Sequence, residues 1–133
     1  MFKFSGTRPS NLGVKDGKLA PVPSSPNCVS SQAAPADAEH YIEPLKFSGS
    51  GGEAIAQLRS ILQTLERTEI ITENPNYLYA EFTTKLMGYV DDVEFYADDA
   101  TQTLHVRSAS RLGKSDLGLN RKRLDAIRAK FSA

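Results

Sequence analysis

The densest concentration of chemically capable side chains lies between Ser108 and Arg123. This stretch carries Arg111, Lys114, Arg121, Lys122 and Arg123, with Arg107 just before it and Arg128 and Lys130 after it. Two glycines, Gly113 and Gly118, turn the chain where a strand pattern ends and a helical pattern begins. A helix start offers free backbone amides, and guanidinium groups beside it would complete a site for an anion. Ser110 and Asn120 add neutral hydrogen-bonding groups at the same place. The Gly113-Lys114-Ser115 run is not a nucleotide-binding P-loop, because the upstream glycine such a loop requires is missing. A purely structural use of these cations stands beside the anion site. The neighbouring hairpin carries Asp91, Asp92, Glu94, Asp98 and Asp99, and cross-strand pairing would put Arg107 near Asp92 or Glu94, depending on register.

A second place for chemistry is Cys28, in the run Pro26-Asn27-Cys28-Val29-Ser30-Ser31. A nucleophilic thiol needs a base and a depressed pKa, and His40 and His105 are the only histidines that could serve. The alternative is a small buried thiol that packs an arm onto the domain. One cysteine and two histidines, at 28, 40 and 105, have no paired ligand spacing, so no metal site is expected.

These groups are placed by a simple order of elements. Residues 1–40 hold Pro9, Pro21, Pro23, Pro26 and Pro35, so they read as an extended arm with no helix or central strand. Phe2, Phe4, Leu12, Val14, Leu19 and Val22 would let part of the arm lie against a surface. Residues 40–47 fit an edge strand interrupted by Pro44. Ile55, Leu58, Leu62 and Leu65 recur at helical spacing and predict a helix over 53–67. Four strands are expected next, at 68–73, 77–84, 90–97 and 103–109. Their alternation puts Leu78, Ala80, Phe82, Val93, Phe95, Leu104 and Val106 on one face. Tyr77, Tyr79, Glu81, Asp92, Glu94, Tyr96, His105 and Arg107 fall on the other, which is read as solvent-facing or as a partner surface. A last helix is expected over 120–131 from Leu124, Ile127 and Phe131, with Asn120 as its N-cap. The expected fold is α+β: a two-layer sandwich of a four- to five-stranded antiparallel sheet with two helices on one face, plus the arm. The arm, 1–40, would pack on or be swapped from the domain of residues 41–133.

Composition narrows the function classes. The chain has 133 residues, enough for one domain with a real core, and a 40% hydrophobic content that argues against wholesale disorder. Sixteen basic residues balance sixteen acidic ones, which argues against a nucleic-acid partner. A single cysteine ties the chain to no oxidising compartment. No apolar run approaches the roughly 20 residues of a membrane span, and Met1 to Gly13 lack the apolar core of a secretion signal. A cytoplasmic location is the expectation.

Several irregular motifs together resemble one family. They are Arg8-Pro9, Leu12-Gly13-Val14, Pro26-Asn27-Cys28-Val29-Ser30-Ser31 and Gly88-Tyr89-Val90-Asp91-Asp92-Val93-Glu94-Phe95. With them goes Val106-Arg107-Ser108-Ala109-Ser110-Arg111 followed by Gly113, Asp116, Gly118, Asn120, Arg121 and Arg123. The pattern is similar to that of the family catalogued as domain of unknown function 1499, over nearly the whole chain. The resemblance implies no particular activity. It implies that the arm motif and the 108–123 motif form one unit, and members in bacteria and photosynthetic lineages would allow a role around photosynthetic complexes. It also suggests that the arm folds back so that Asn27, Cys28 and Ser30 meet Arg111, Asp116, Asn120 and Arg123, as a site or as a clasp.

The resulting expectation is a non-enzymatic binding or assembly module without a cofactor. It would use 108–123 for an anionic small molecule or an acidic protein partner. The candidate residues are Asn27, Cys28, Ser30, Arg107, Ser110, Arg111, Asp116, Asn120 and Arg123. Two alternatives stand: a transferase or hydrolase centred on Cys28, and a carrier with an apolar cavity between the sheet and the C-terminal helix.

Overall fold

A computed structural model describes residues 6–85, 88–113 and 118–132. The chain forms β1 (Cys28–Ser30), β2 (Leu45–Lys46), α1 (Gly51–Leu62), β3 (Thr68–Asn74), β4 (Tyr77–Thr83), β5 (Val90–Asp98), β6 (Thr103–Ser110) and α2 (Leu119–Ser132). The sheet is antiparallel, in the order β1-β6-β5-β4-β3, with β2 also paired to β6. This is the expected α+β fold, with six strands rather than four or five. The extra strand is β1, which comes from the arm and lines up Cys28 with Ala109 and Ser30 with Arg107. The expected edge strand over 40–47 shrinks to Leu45 and Lys46, because Pro44 has no amide to give a ladder.

Helix α1 begins two residues earlier than its apolar stripe predicts and ends sooner. Ser50 and Glu53 form a reciprocal capping box at its start. At its end Thr64 and Leu65 bond back to Ile61 and Leu62 in tight turns. Arg67, at φ 55°, then reverses the chain into β3. Helix α2 begins at Leu119, and the Lys122 amide bonds to the Gly118 carbonyl. Asn120 therefore sits inside the first turn and is not the N-cap. Its side chain reaches sideways to the sheet instead.

Both helices pack on the face formed by Leu78, Phe82, Val93, Phe95, Leu104 and Val106. Ile55 and Leu58 of α1, with Leu124 and Ile127 of α2, complete this core. The other face departs from expectation. Tyr77, Tyr79, Glu81, Asp92, Glu94 and Arg107 are buried, not solvent-facing. The arm covers them. Leu19 is buried against Tyr77 and Tyr79, with Leu12, Val14, Ile71 and Tyr96 around them. Lys15 and Lys18 exchange backbone hydrogen bonds across Asp16-Gly17, both at positive φ, 54° and 75°. This is the left-handed two-residue turn that suits the twist of a β-hairpin. The sheet is thus covered by helices on one side and by an extended arm on the other.

Candidate functional site

The pleat of β6 sends alternate side chains to opposite faces, and so divides the expected site into two clusters. The first lies under the arm. Arg111, one residue past β6, grips Asp92 with two parallel hydrogen bonds, Nε to Oδ2 at 2.8 Å and Nη2 to Oδ1 at 2.8 Å. The same Nη2 donates to Glu81 Oε2 at 2.6 Å. Arg8, from the arm, donates through Nε to that oxygen at 2.7 Å. The Tyr79 hydroxyl lies 2.5 Å from Asp92 Oδ1 and 2.9 Å from Glu81 Oε2. Hydrogen bonding to Asp92 holds the Arg111 guanidinium firmly protonated. Burial alone would raise the Glu81 pKa, but hydrogen bonds from Arg8, Tyr79 and Arg111 outweigh it and hold the carboxyl below its ordinary value. Burial, followed by the bond to Asp92, pushes the Tyr79 hydroxyl well above its ordinary value.

Beside this cluster, Arg107 sits across from Glu94 in the β5–β6 register. Glu94 Oε2 accepts from the Tyr77 hydroxyl at 2.5 Å and from the Gly13 amide at 2.7 Å. Arg107 Nη2 donates to the Pro21 carbonyl at 3.1 Å. Burial, reinforced by Glu94, keeps Tyr77 protonated far into the alkaline range.

The second cluster lies on the helix side and ties the arm to the 108–123 segment. Asn120 Nδ2 donates to the Asn27 carbonyl at 3.2 Å and to Ser110 Oγ at 3.0 Å. Asn120 Oδ1 accepts from Ser108 Oγ at 2.5 Å and from Arg123 Nη1 at 2.8 Å. Arg123 then reaches Asp91 Oδ2 at 2.7 Å, with its guanidinium 4.9 Å from the centre of the Phe82 ring. The side chain of Asn27 donates to the Gly113 carbonyl at 2.6 Å. Of the expected residues, then, Asn27, Ser110, Asn120 and Arg123 meet here. Cys28, Ser30, Arg107 and Arg111 alternate onto the arm side. Asp116 and Lys114 lie outside the described residues.

Cys28 is fully buried, its Sγ 3.9 Å from the Val29 carbonyl oxygen. The histidines are engaged in bracing the arm. His40 holds Asp37 Oδ2 at 2.7 Å through Nδ1 and the Ser25 carbonyl at 2.8 Å through Nε2. These contacts, the one to Ser25 first, raise its pKa. His105 Nδ1 lies 3.0 Å from Ser31 Oγ, the ring stacks on Tyr96, and burial lowers its pKa. Among the described residues no group of three or more histidine, cysteine, aspartate or glutamate side chains is arranged to hold a metal ion. No helix there is long and apolar enough to cross a membrane.

The arm also forms a groove of about 640 Å³. Leu19, Ala20, Pro21 and Val22 of the arm, Ala33 and Ala34 after β1, and Gly13, Ser30 and Gln32 are among its lining residues. Lys15 and Lys18 are the charged lining residues, and both are exposed. Gln32 fixes the hairpin to the segment after β1, accepting from the Leu19 amide at 2.8 Å and donating to the Gly17 carbonyl at 3.0 Å. Sequence reasoning missed the groove. The signal that points to it is Asp16-Gly17 between Val14 and Leu19, a hairpin turn within a proline-rich arm.

No curated protein matches the chain. A family model described as "Protein of unknown function (DUF1499)" matches residues 18–131. By that match the chain belongs to the DUF1499 family.

Proposed function

We propose that the protein is a binding module that takes a small molecule with an apolar body and an anionic end into the groove between its arm and its sheet. The observation that carries this reading is the groove's lining. It is mostly apolar, it has two exposed lysines, and it has no acidic residue. Its volume, about 640 Å³, suits a small organic ligand. Neither lysine enters an ion pair among the described residues, so their charge is available to a ligand.

This reading keeps the anionic ligand expected from sequence but moves it away from 108–123. Arg107, Arg111 and Arg123 each face a buried carboxylate of the same sheet. An anion would have to displace Glu94, Asp92 or Asp91 to reach them. Removing one partner of such a pair leaves the other as an uncompensated buried charge. Titration calorimetry with decanoate tests the proposal. Decanoate should bind the wild type, and Lys15→Ala/Lys18→Ala should weaken binding about tenfold through loss of two exposed charges. Absence of binding, or an affinity unchanged by the double substitution, would refute it.

A further inference from the structure

We infer that the anionic end of the ligand is a phosphate monoester, held as a dianion between Lys15 and Lys18; this rests on the groove being the binding site. The two lysines are a directly opposed pair. The Lys15 amide donates to the Lys18 carbonyl at 2.9 Å, and the Lys18 amide to the Lys15 carbonyl at 3.0 Å. Residues that exchange both backbone bonds lie about 5.5 Å apart at Cα and send their side chains to the same face of the hairpin. That face is the groove, which both lysines line together with Asn11 and Gly13. Leu12 and Val14, which alternate with Asn11, Gly13 and Lys15 in the chain, pack instead against the cluster of Leu19, Tyr77 and Tyr79.

Like charges directly opposite each other on a strand pair are destabilising. No carboxylate relieves this pair. The groove has no acidic lining residue. Neither the lysines nor Asp16, at the turn between them, enter an ion pair among the described residues. The hairpin thus presents two positive charges to the groove, more than a single carboxylate neutralises.

The charge count selects the ligand group. A carboxylate or a sulfate ester brings one negative charge. Above its second ionisation, near about pH 6, a phosphate monoester brings nearly two, on one centre with three acceptor oxygens. Each ammonium, a compact point charge with three donors, then holds an oxygen of its own. A dicarboxylate spreads its charges over two centres and leaves less apolar body for Leu19, Ala20, Pro21 and Val22. The ligand is then a single-chain amphiphile of the alkyl phosphate class.

Titration calorimetry on the full chain decides this with decyl phosphate, decyl sulfate and inorganic phosphate, at low ionic strength and below the micelle concentrations. The two esters share their shape and differ in charge. At about pH 8, decyl phosphate should bind at least about fivefold tighter than decyl sulfate, as a second charge facing two exposed lysines implies. That preference should disappear as pH falls to about 5, through the second ionisation of the phosphate, while decyl sulfate changes little. Lys15→Ala and Lys18→Ala, each alone, should weaken decyl phosphate more than decyl sulfate. Inorganic phosphate should bind far more weakly than decyl phosphate, because it leaves the apolar lining uncovered. If decyl sulfate binds and decyl phosphate binds no tighter, or the preference does not fall with pH, the inference fails while the groove stands. If inorganic phosphate binds as tightly as decyl phosphate, the lysines act without the groove and the inference fails too. If neither amphiphile binds, the inference and the groove fall together.

Discussion

The two faces of one sheet are covered by opposite means. On the helix side, Phe95, Leu104, Leu124 and Ile127 form an apolar core whose stability comes from area removed from water. On the arm side, three carboxylates, Arg107, the Arg111 side chain and two tyrosines are buried together, and an extended segment closes over them. An apolar layer tolerates any shape-matched neighbour. A layer of charges tolerates only the partners that satisfy it. The arm side is therefore where the fold depends most on matched charges.

Substitutions on the two sides should separate this difference. Arg111→Ala leaves Asp92 buried without its cation, leaves Glu81 with Arg8 alone, and should destabilise the protein by about 3–5 kcal/mol in urea unfolding. Leu124→Ala on the other face should cost about 2–5 kcal/mol through lost burial and a cavity. The pH dependence should tell them apart. The Glu81 pKa is depressed in the fold, so its contribution is present above the ordinary carboxylate pKa and is lost as pH falls through the depressed value. The Arg111→Ala deficit should narrow in that acid range while the Leu124→Ala deficit stays flat. Deficits that move in parallel would erase the distinction between the faces.

A smaller effect sharpens the comparison at the arm's anchor. Both ring nitrogens of His40 face acceptors, and only the imidazolium donates to both. Its pKa is raised, so the stability it contributes is present below about pH 6.5 and is lost as pH rises through the raised value. The urea midpoint should fall gently as pH rises above about 6.5, and His40→Gln should flatten that fall. A wild-type midpoint that does not change there would mean that His40 does not brace the arm through its charge.

The sequence showed the sheet more readily than its cover. Clean alternation in β4, β5 and β6 assigned Leu78, Ala80, Phe82, Val93, Phe95, Leu104 and Val106 to the core face, but it gave no place to Asp91 and Ser108, polar residues on that same face. Alternation cannot say what lies over a polar face. Glu81 and Asp92 looked like solvent-exposed residues because their counterions, Arg8 and Arg111, are far away in the chain. Leu12, Val14 and Leu19 gave a partial hint that the arm docks, and Asp16-Gly17 marked its hairpin. Asn120 read as a cap because its type suits one. Its actual partners, Asn27, Ser108 and Ser110, come from tertiary packing that local pattern does not contain.

Hydrogen exchange on the wild type, with and without saturating decanoate, tests most directly that recognition belongs to the arm side. The account predicts slower amide exchange across 11–22 and 30–34, the segments that build the groove, with α2 unaffected. Slowing confined to α2 and the 108–113 segment would place the ligand on the other face and contradict it.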